Sequence, residues 1–382
     1  MEDKLLDKLV YHLAQLNFEE CHSLLEGLGL SELKNALLML VTFDTYYFRM
    51  DYIQDGDALR EELFSQIEAI VQPAFAHQED HVFDQLYLCL RTRKQAISLY
   101  IDLIRTEILS DRSIGQCRTL LETLERVQDY TLEPYQKAFQ QELGVLLKLL
   151  EAQIALSNFN YLVTLVSLKE ANMHLQMWED VFVNKKYTPL LRGKGAGKNE
   201  VHRWLLGYLQ VLIGKASLYF DNFLCGIRPK EGPLASSKIE SQCWALKVDI
   251  FALLLDVTDP KVLRQWEEQG YRCHSEQASE TQTDSSYRKV YIHKRPSESL
   301  PPEVEKVLLS MVVGEALVPR QSVIKKDQEM DWTFYAAKVD LHMYAVLAHA
   351  NKSHSDTAKL REFFTSLCQQ LFRSTPSLAS KP

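Results

Sequence analysis

The stretch DWTFYAAKVDLHMYAVLAHANKSHSDTAKLREFFTSLCQQLF, residues 331–372, decides the fold class. It begins with two runs rich in β-branched and aromatic residues, 332–339 and 342–350, which are separated only by Asp340 and Leu341. Such runs favour strands, and a connection this short favours an antiparallel hairpin. A stripe at helical spacing follows: Leu360, Phe364, Leu367 and Leu371. The stretch therefore predicts a hairpin covered by a helix.

Strand-like segments continue this pattern toward the N-terminus. Residues 249–257 form a nearly continuous apolar run, which is typical of a buried strand, and shorter strand-like runs occupy 287–293 and 321–325. Between them, Pro302 and the acidic residues after it are typical of the first turn of a helix. The order is strand, strand, helix, strand, strand, strand, helix. This order predicts one antiparallel sheet with helices packed on it.

The first 230 residues are predicted to form helices only. We expect one helix over residues 2–26, a long one over 80–109, and a break near Ser157 and Asn158 within a later helical run. No repeat of 20 to 50 residues is present, so we predict an irregular bundle rather than a solenoid. The predicted fold class is α+β, with an N-terminal all-α bundle followed by a smaller α/β domain.

Changes in composition set the predicted domain limits. A cluster of Gly, Pro and Ser separates the helical bundle, residues 1–230, from the sheet domain, residues 238–374. The segment 275–286 is rich in Ser, Glu and Thr and is predicted to be a mobile loop. Residues 375–382 are predicted to be a tail.

The composition of the 382 residues excludes several classes of protein. A formal net charge of −8 argues against a nucleic-acid-binding protein, which needs a basic surface. No apolar run approaches the roughly 18 residues that span a bilayer, so we expect a cytosolic protein without a transmembrane segment. The seven cysteines form no CxxC pair and are predicted to be reduced, mostly buried thiols rather than disulfides or zinc ligands.

No catalytic, cofactor or metal site can be assembled from the sequence. The glycine-rich segment 193–198 departs from a phosphate-binding loop in its glycine spacing, and Asn199 follows its last lysine. The histidines lack metal-ligand spacing, and no Gly-x-Ser-x-Gly motif is present. We therefore predict a protein that is not an enzyme and binds no cofactor. The alternative, an enzyme whose site forms only in three dimensions, would require a deep polar pocket with clustered titratable groups.

Two sets of residues are candidate contact surfaces. The loop 184–200 collects basic side chains: Lys185, Lys186, Arg192, Lys194 and Lys198. It could contact an acidic partner or an anionic membrane, and the alternative is a solvated loop. Trp332, Phe334 and Tyr335 could form a partner surface, and the alternative is packing of the sheet beneath a helix.

Three stretches resemble one eukaryotic family: LLEAQIALSNFNYLVTLVSLKEANMHLQMWEDVFVNKK (149–186), HRWLLGYLQVLIGKASLYFDNFL (202–224) and the stretch from Trp332 to residue 372. The likeness extends over most of the chain from about residue 80. It is marked by apolar and aromatic positions rather than by catalytic residues: Trp178, Phe182, Trp204 and Phe220. The family is a subunit of the KICSTOR complex.

The resemblance implies a non-enzymatic scaffold or adaptor. Members of the family join kaptin, an FG-GAP repeat protein and a very large seizure-threshold scaffold. Together these proteins hold the GATOR-one complex at the lysosome, so that TOR kinase signalling is restrained when amino acids are scarce. The resemblance thus implies a cytoplasmic protein that its partners recruit to the lysosomal membrane surface. The C-terminal domain is also similar to roadblock and longin domains, which leaves direct regulation of a small GTPase as the alternative function.

Overall fold

The computed structural model of the chain describes residues 2–27, 32–50, 61–62, 64–65, 81–105, 111–126, 132–182, 199–220, 234, 236–268, 286–295, 301–314, 317, 321–351 and 357–372. Two compact units are present. Among the described residues, the first comprises those within 2–151 and 167–207, and the second comprises those within 152–166 and 208–372. The domain limits of 1–230 and 238–374 rest on composition, a different criterion, and they stay a prediction.

The N-terminal part of the chain is helical, as predicted. Its helices are α1 (Glu2–Ala14), α2 (Phe18–Glu26), α3 (Glu32–Arg49), α4 (His81–Arg105), α5 (Asp111–Leu124), α6 (Glu133–Ser157), α7 (Tyr161–Phe182) and α8 (Glu200–Tyr219). The last three of these contribute residues to both units.

The helical region contains two breaks between helices, one that the sequence pattern predicts and one that it does not. The break predicted near Ser157 is confirmed: Phe159 has φ 54°, and the side chain of Asn160 accepts a hydrogen bond from the backbone N–H of Val163 at 3.2 Å. The prediction of one helix over residues 2–26 is wrong. Leu16 has φ 56° and Asn17 caps α2, although apolar residues continue at helical spacing across the break.

The C-terminal part of the chain forms a five-stranded sheet with helices. Its elements are α9 (Ser236–Ala245), β1 (Ile250–Asp256), α10 (Pro260–Glu268), β2 (Tyr287–Lys294), α11 (Pro302–Gly314), β3 (Ser322–Asp327), β4 (Trp332–Lys338), β5 (Met343–Ala350) and α12 (Thr357–Phe372). The strands lie in the order β2-β1-β5-β4-β3, and all neighbouring pairs are antiparallel. The predicted α+β class is therefore confirmed, whereas the likeness to roadblock and longin domains stays a prediction.

Helix α10 is absent from the predicted order of elements. Pro260 opens this helix, and the side chain of Asp259 accepts a hydrogen bond from the backbone N–H of Lys261 at 2.8 Å. An acidic residue before a proline is a recognised helix start. The same two residues also fit the end of the preceding strand, which is why the pattern alone does not reveal the helix.

Helices pack on both faces of the sheet. Alternate side chains of β1 and β4, including Ala252 and Phe334, form one core with Leu308 and Met311 of α11. On the opposite face, the ring centre of Tyr335 lies 5.6 Å from that of Phe364 in α12. The predicted stripe of α12 is buried along its whole length. The hairpin and its covering helix are thus confirmed.

Candidate functional site

The three aromatic residues predicted to form a partner surface lie in the core of the second unit. The exposed fraction is 9% for Trp332 and 0% for both Phe334 and Tyr335. The rings of Trp332 and Phe334 stack with centres 6.3 Å apart on the α11 side of the sheet. This arrangement matches the alternative of sheet packing beneath a helix. A partner could reach these rings only after the covering helices move.

The basic loop lies outside the described residues. This applies to Lys185, Lys186, Arg192, Lys194 and Lys198, to the segment 275–285, and to the tail 375–382. Arg203, just after the loop, is described: its Nη1 lies 2.7 Å from Glu200 Oε2 in the first turn of α8. A contact role for the loop stays a prediction.

The first unit contains a buried ionic cluster that joins three helices. Arg93 of α4 places its Nη1 2.6 Å from Glu142 Oε2 of α6 and its Nε 3.4 Å from Asp44 Oδ1 of α3. The hydroxyls of Tyr47 and Tyr100 donate hydrogen bonds to the other oxygen of Glu142. Each helix therefore contributes one charged side chain to the same interior position.

Aromatic rings enclose the guanidinium of this cluster. Arg93 Cζ lies 3.6 Å from the ring centre of Phe139 and 4.3 Å from that of Tyr47, distances typical of cation–π contacts. All the side chains of the cluster are at most 2% exposed. A substrate in solvent cannot reach them, so the cluster fixes the packing of α3, α4 and α6 rather than performing chemistry.

Asp44 is the unbalanced charge of this cluster, because Arg93 and Glu142 already form a neutral pair. Burial raises the pKa of Asp44 to about 6, since the cost of desolvating its carboxylate exceeds the attraction of Arg93. The negative charge of Glu142 adds to this rise. The sequence predictions do not include this cluster. The one available signal is that an arginine and two acidic residues lie within apolar helical stripes.

The Asp44→Asn variant is expected to lose part of the pH dependence of stability. A carboxyl whose folded-state pKa is raised stabilises the fold below its ordinary pKa, and this contribution is lost as pH rises through about 6. Relative to Asp44→Asn, the wild type should lose about 2 kcal/mol of unfolding free energy between about pH 4.5 and pH 7. Urea unfolding at the two pH values measures this difference.

A matched control for this variant is Asp102→Asn, which changes an exposed acid on α4. Its difference from the wild type should stay constant within about 0.5 kcal/mol over the same pH range. Equal pH dependence of the wild type and Asp44→Asn would contradict the assignment of a raised pKa to Asp44.

A second buried ion pair lies in the second unit. Lys215 of α8 places its Nζ 2.8 Å from Asp340 Oδ2, and the Tyr219 hydroxyl donates to the same oxygen at 3.0 Å. The backbone N–H of Leu341 donates to Oδ1 at 2.9 Å. Burial alone would raise the pKa of Asp340, but Lys215 and these donors hold it below its ordinary value. The pair connects α8 to the turn between β4 and β5.

The described cysteines are buried thiols, as predicted. None is in a disulfide: Cys21, Cys89, Cys117, Cys243 and Cys368. Burial raises the pKa of Cys21, Cys89 and Cys243 to about 12. A thiol with such a pKa stays protonated at neutral pH and is a poor nucleophile or metal ligand.

His342 and His349 occupy different positions in the sheet domain, and one groove of that domain is open. His342 lies in the turn before β5, whereas His349 is buried within that strand. Within the described ranges, no group of three or more His, Cys, Asp or Glu side chains could hold a metal ion. A groove of about 420 Å³ between α9 and α12 is lined by lysine, glutamine, glutamate and apolar side chains. It is open, and its titratable side chains, Lys238, Lys359 and Glu362, are exposed rather than enclosed as in a general acid–base site.

Comparison with known proteins finds similarity to one family in part of the helical region. Residues 81–232 match the family described as KICSTOR complex C12orf66 like. The chain is a distant relative of this KICSTOR family. It is also 29% identical over 157 residues to a KICSTOR subunit 2 of Xenopus laevis. That match covers 38% of this chain and 35% of the relative, so the chain spans about a third of the length of the curated relative it matches.

The KICSTOR-like range contains α4 to α8 and most of the residues that carry the resemblance. Trp178, Trp204 and Phe220 lie within it, with exposed fractions of 1%, 4% and 0%. These aromatic positions therefore belong to the core. Their burial does not identify a partner surface. Among the described helices, none combines the length and the hydropathy that a membrane-spanning segment requires.

Proposed function

We propose that the chain is a non-enzymatic scaffold or adaptor subunit of a KICSTOR-like complex. In this role it helps to hold the GATOR-one complex at the lysosome and restrains TOR kinase signalling when amino acids are scarce. Its partners are a kaptin-like protein, an FG-GAP repeat protein and a large seizure-threshold scaffold. The protein is cytoplasmic, and these partners recruit it to the lysosomal membrane surface.

One observation carries the proposal: residues 81–232 match the KICSTOR family. The buried ionic clusters add support, because each one fixes the relative position of packed elements inside its own unit. A scaffold needs surfaces of fixed shape, and a buried ion pair whose carboxylate oxygens are both satisfied, as in Lys215–Asp340, favours a unique packing. The proposal assigns no catalytic residue, cofactor or metal.

Two contact sets belong to this proposal. The lysines and arginine of the loop, Lys185, Lys186, Arg192, Lys194 and Lys198, would contact an acidic partner or an anionic membrane. The sheet residues Trp332, Phe334 and Tyr335 would contact a partner only if a covering helix were displaced. Neutralising the loop lysines tests the first set, and unchanged recruitment to an anionic membrane or an acidic partner would contradict it.

Affinity purification of the tagged full chain from its source cells tests the proposal. We expect the kaptin-like protein and the giant scaffold to copurify in amounts comparable to the bait, because a stable subunit remains assembled through washing. An unrelated helical protein with the same tag is the control. Recovery of the bait without any of the three partners would refute the assignment to a KICSTOR-like complex.

Direct regulation of a small GTPase through the sheet domain is the second candidate. The observation that favours it is the five-stranded antiparallel sheet with helices on both faces, the architecture that the longin and roadblock resemblance implies. Nucleotide exchange and hydrolysis assays with the purified full chain distinguish the two functions. A scaffold leaves both rates unchanged, whereas a regulator changes at least one of them.

A further inference from the structure

One helix carries an unusual share of the exposed apolar side chains. Of the eleven large apolar residues that are exposed in the described part of the chain, five lie on α7: Leu162, Val163, Val166, Met173 and Met177. Their exposed fractions range from 42% to 67%. Single exposed apolar residues are common, but a group on one element indicates a binding surface.

Four of these residues form a single stripe. Leu162, Val166, Met173 and Met177 are separated by four, seven and four positions, which places them within about 60° around the helix axis at 3.6 residues per turn. We call these four residues the α7 stripe. Its length from Leu162 to Met177 is about 22 Å, or four helical turns.

The α7 stripe is not the face by which the helix packs in the protein. The opposite face already buries Leu168, Ala171, Leu175 and Trp178. An amphipathic helix needs only one apolar face to join a core, so the α7 stripe is a second apolar face. Exposing it costs solubility without adding to the core, which indicates that it is covered by another molecule when the protein functions.

Charges beside the α7 stripe decide what that molecule is. Lys169 lies on one side of it and Glu170 on the other, each about 50° from its centre, and Asp180 lies at its C-terminal end. Glu170 is held in place by Lys148, whose Nζ is 2.9 Å from Glu170 Oε2. Because Lys148 already balances Glu170, the covering molecule must match the charges of Lys169 and Asp180.

A second copy of the chain does not satisfy these charges. In an antiparallel pair, the two-fold axis keeps equivalent residues on the same side, so Lys169 would face Lys169 and Glu170 would face Glu170. In a parallel pair, Lys169 would face Glu170 of the second copy, but the two Asp180 side chains would meet beside two negative helix C-termini. An anionic membrane is disfavoured as well, because Glu170 and Asp180 would approach its head groups.

We propose that the α7 stripe docks an amphipathic helix of another protein, lying antiparallel to α7. The partner helix presents apolar residues to the stripe, an acidic residue beside Lys169 and a basic residue beside Asp180. In the antiparallel orientation its positive N-terminus also lies near Asp180. This inference rests on the proposed function, since it names the surface by which the chain contacts another subunit of the complex.

Copurification of the kaptin-like protein, the FG-GAP repeat protein and the giant scaffold tests the surface within the complex. The V166D/M173D variant of the full chain should recover at least one of them about tenfold less than the wild type. The matched control V313D changes an apolar residue of similar exposure on α11 and should leave recovery unchanged. If wild type and V166D/M173D recover all subunits equally, the inference fails while the proposed function stands.

A binding assay with synthetic peptides tests the surface independently of any complex. Two peptides of the length of α7, 22 residues, share apolar spacing of four, seven and four and differ only in exchanged acidic and basic positions. The complementary peptide should bind the purified full chain with a Kd about tenfold lower than the charge-exchanged peptide, and V166D/M173D should abolish binding. Equal affinity for both peptides, or no binding of either, would overturn the inference.

Two further measurements test whether a second copy of the chain or a membrane covers the α7 stripe instead. Sedimentation of the wild type should show a monomer, and a dimer that V166D/M173D dissociates would assign the stripe to a second copy instead. Flotation with phosphatidylserine vesicles should show no binding, and binding that the variant abolishes would assign the stripe to a membrane. If wild type recovers no subunit from cells, the proposed function fails, and the peptide assay still decides whether α7 binds a helix.

Discussion

Arg93→Met is expected to destabilise the protein by about 3 to 5 kcal/mol, because it breaks a buried ion pair by removing one partner. Arg93 is 1% exposed and pairs with both Glu142 and Asp44. Methionine removes the positive charge and leaves the Glu142 carboxylate in the interior, where its desolvation is no longer offset. Urea unfolding of the full chain, followed by circular dichroism and tryptophan fluorescence, measures the loss.

Two further variants separate the charge effect from the loss of packing. Arg91→Met changes an exposed arginine on the same helix and should cost at most about 0.5 kcal/mol. The triple variant R93M/E142M/D44L replaces the cluster by apolar side chains and should be more stable than Arg93→Met alone, because no buried charge remains. The hydroxyls of Tyr47 and Tyr100 then lose their acceptor, which limits the recovery by about 1 kcal/mol each. A triple variant less stable than Arg93→Met would contradict the electrostatic explanation.

Local periodicity predicts a helix or strand when its regularly spaced apolar residues are also the residues that the fold buries. The hairpin is predictable because β4 and β5 are rich in residues that favour strands, and α12 is predictable because Leu360 and Phe364 continue a stripe that is buried throughout. The break after Ser157 is predictable from the polar residues that interrupt the helical run. In each case the residues that determine the structure are neighbours in sequence.

Long-range contacts cannot be predicted in the same way. Arg93 and Glu142 are 49 positions apart, and neither residue indicates alone that it will be buried with the other. Charged residues are rarely buried, so a sequence pattern assigns them to the surface. The burial of Trp332 and Tyr335 depends on two helices that cover opposite faces of the sheet, and the order of elements does not determine whether both faces are covered. The break at Leu16 depends on a left-handed backbone conformation that no glycine marks.

The candidate contact surfaces also depend on long-range contacts that local sequence does not predict. The sequence identifies aromatic residues of β4 by type, but type alone does not distinguish an exposed ring from a buried one. It does not single out α7, because an apolar residue on a helix is first assigned to the core. Only the burial of the opposite face, at Leu175 and Trp178, shows that Met173 and Met177 lie on a second apolar face.

Lys215→Met is expected to destabilise the protein by about 3 kcal/mol at neutral pH. Lys215 is 2% exposed, and its ammonium is the cation paired with Asp340 in the turn between β4 and β5. Without it, the carboxylate retains the hydroxyl of Tyr219 and the backbone N–H of Leu341 but has no compensating charge. Urea unfolding of the full chain measures the loss, and Lys261→Met, on the exposed face of α10, should cost at most about 0.5 kcal/mol.

The dependence of this loss on pH separates the ion pair from packing. Because the folded-state pKa of Asp340 is lowered, the stability that the pair contributes is present above the ordinary aspartate pKa and is lost as pH falls through the folded-state value. The difference between the wild type and Lys215→Met should therefore shrink as the solution is acidified. The double variant K215M/D340N should be more stable at neutral pH than Lys215→Met, because its turn carries no buried charge. A loss that stays constant with pH, and that Asp340→Asn does not relieve, would show that Lys215 acts through its alkyl chain alone.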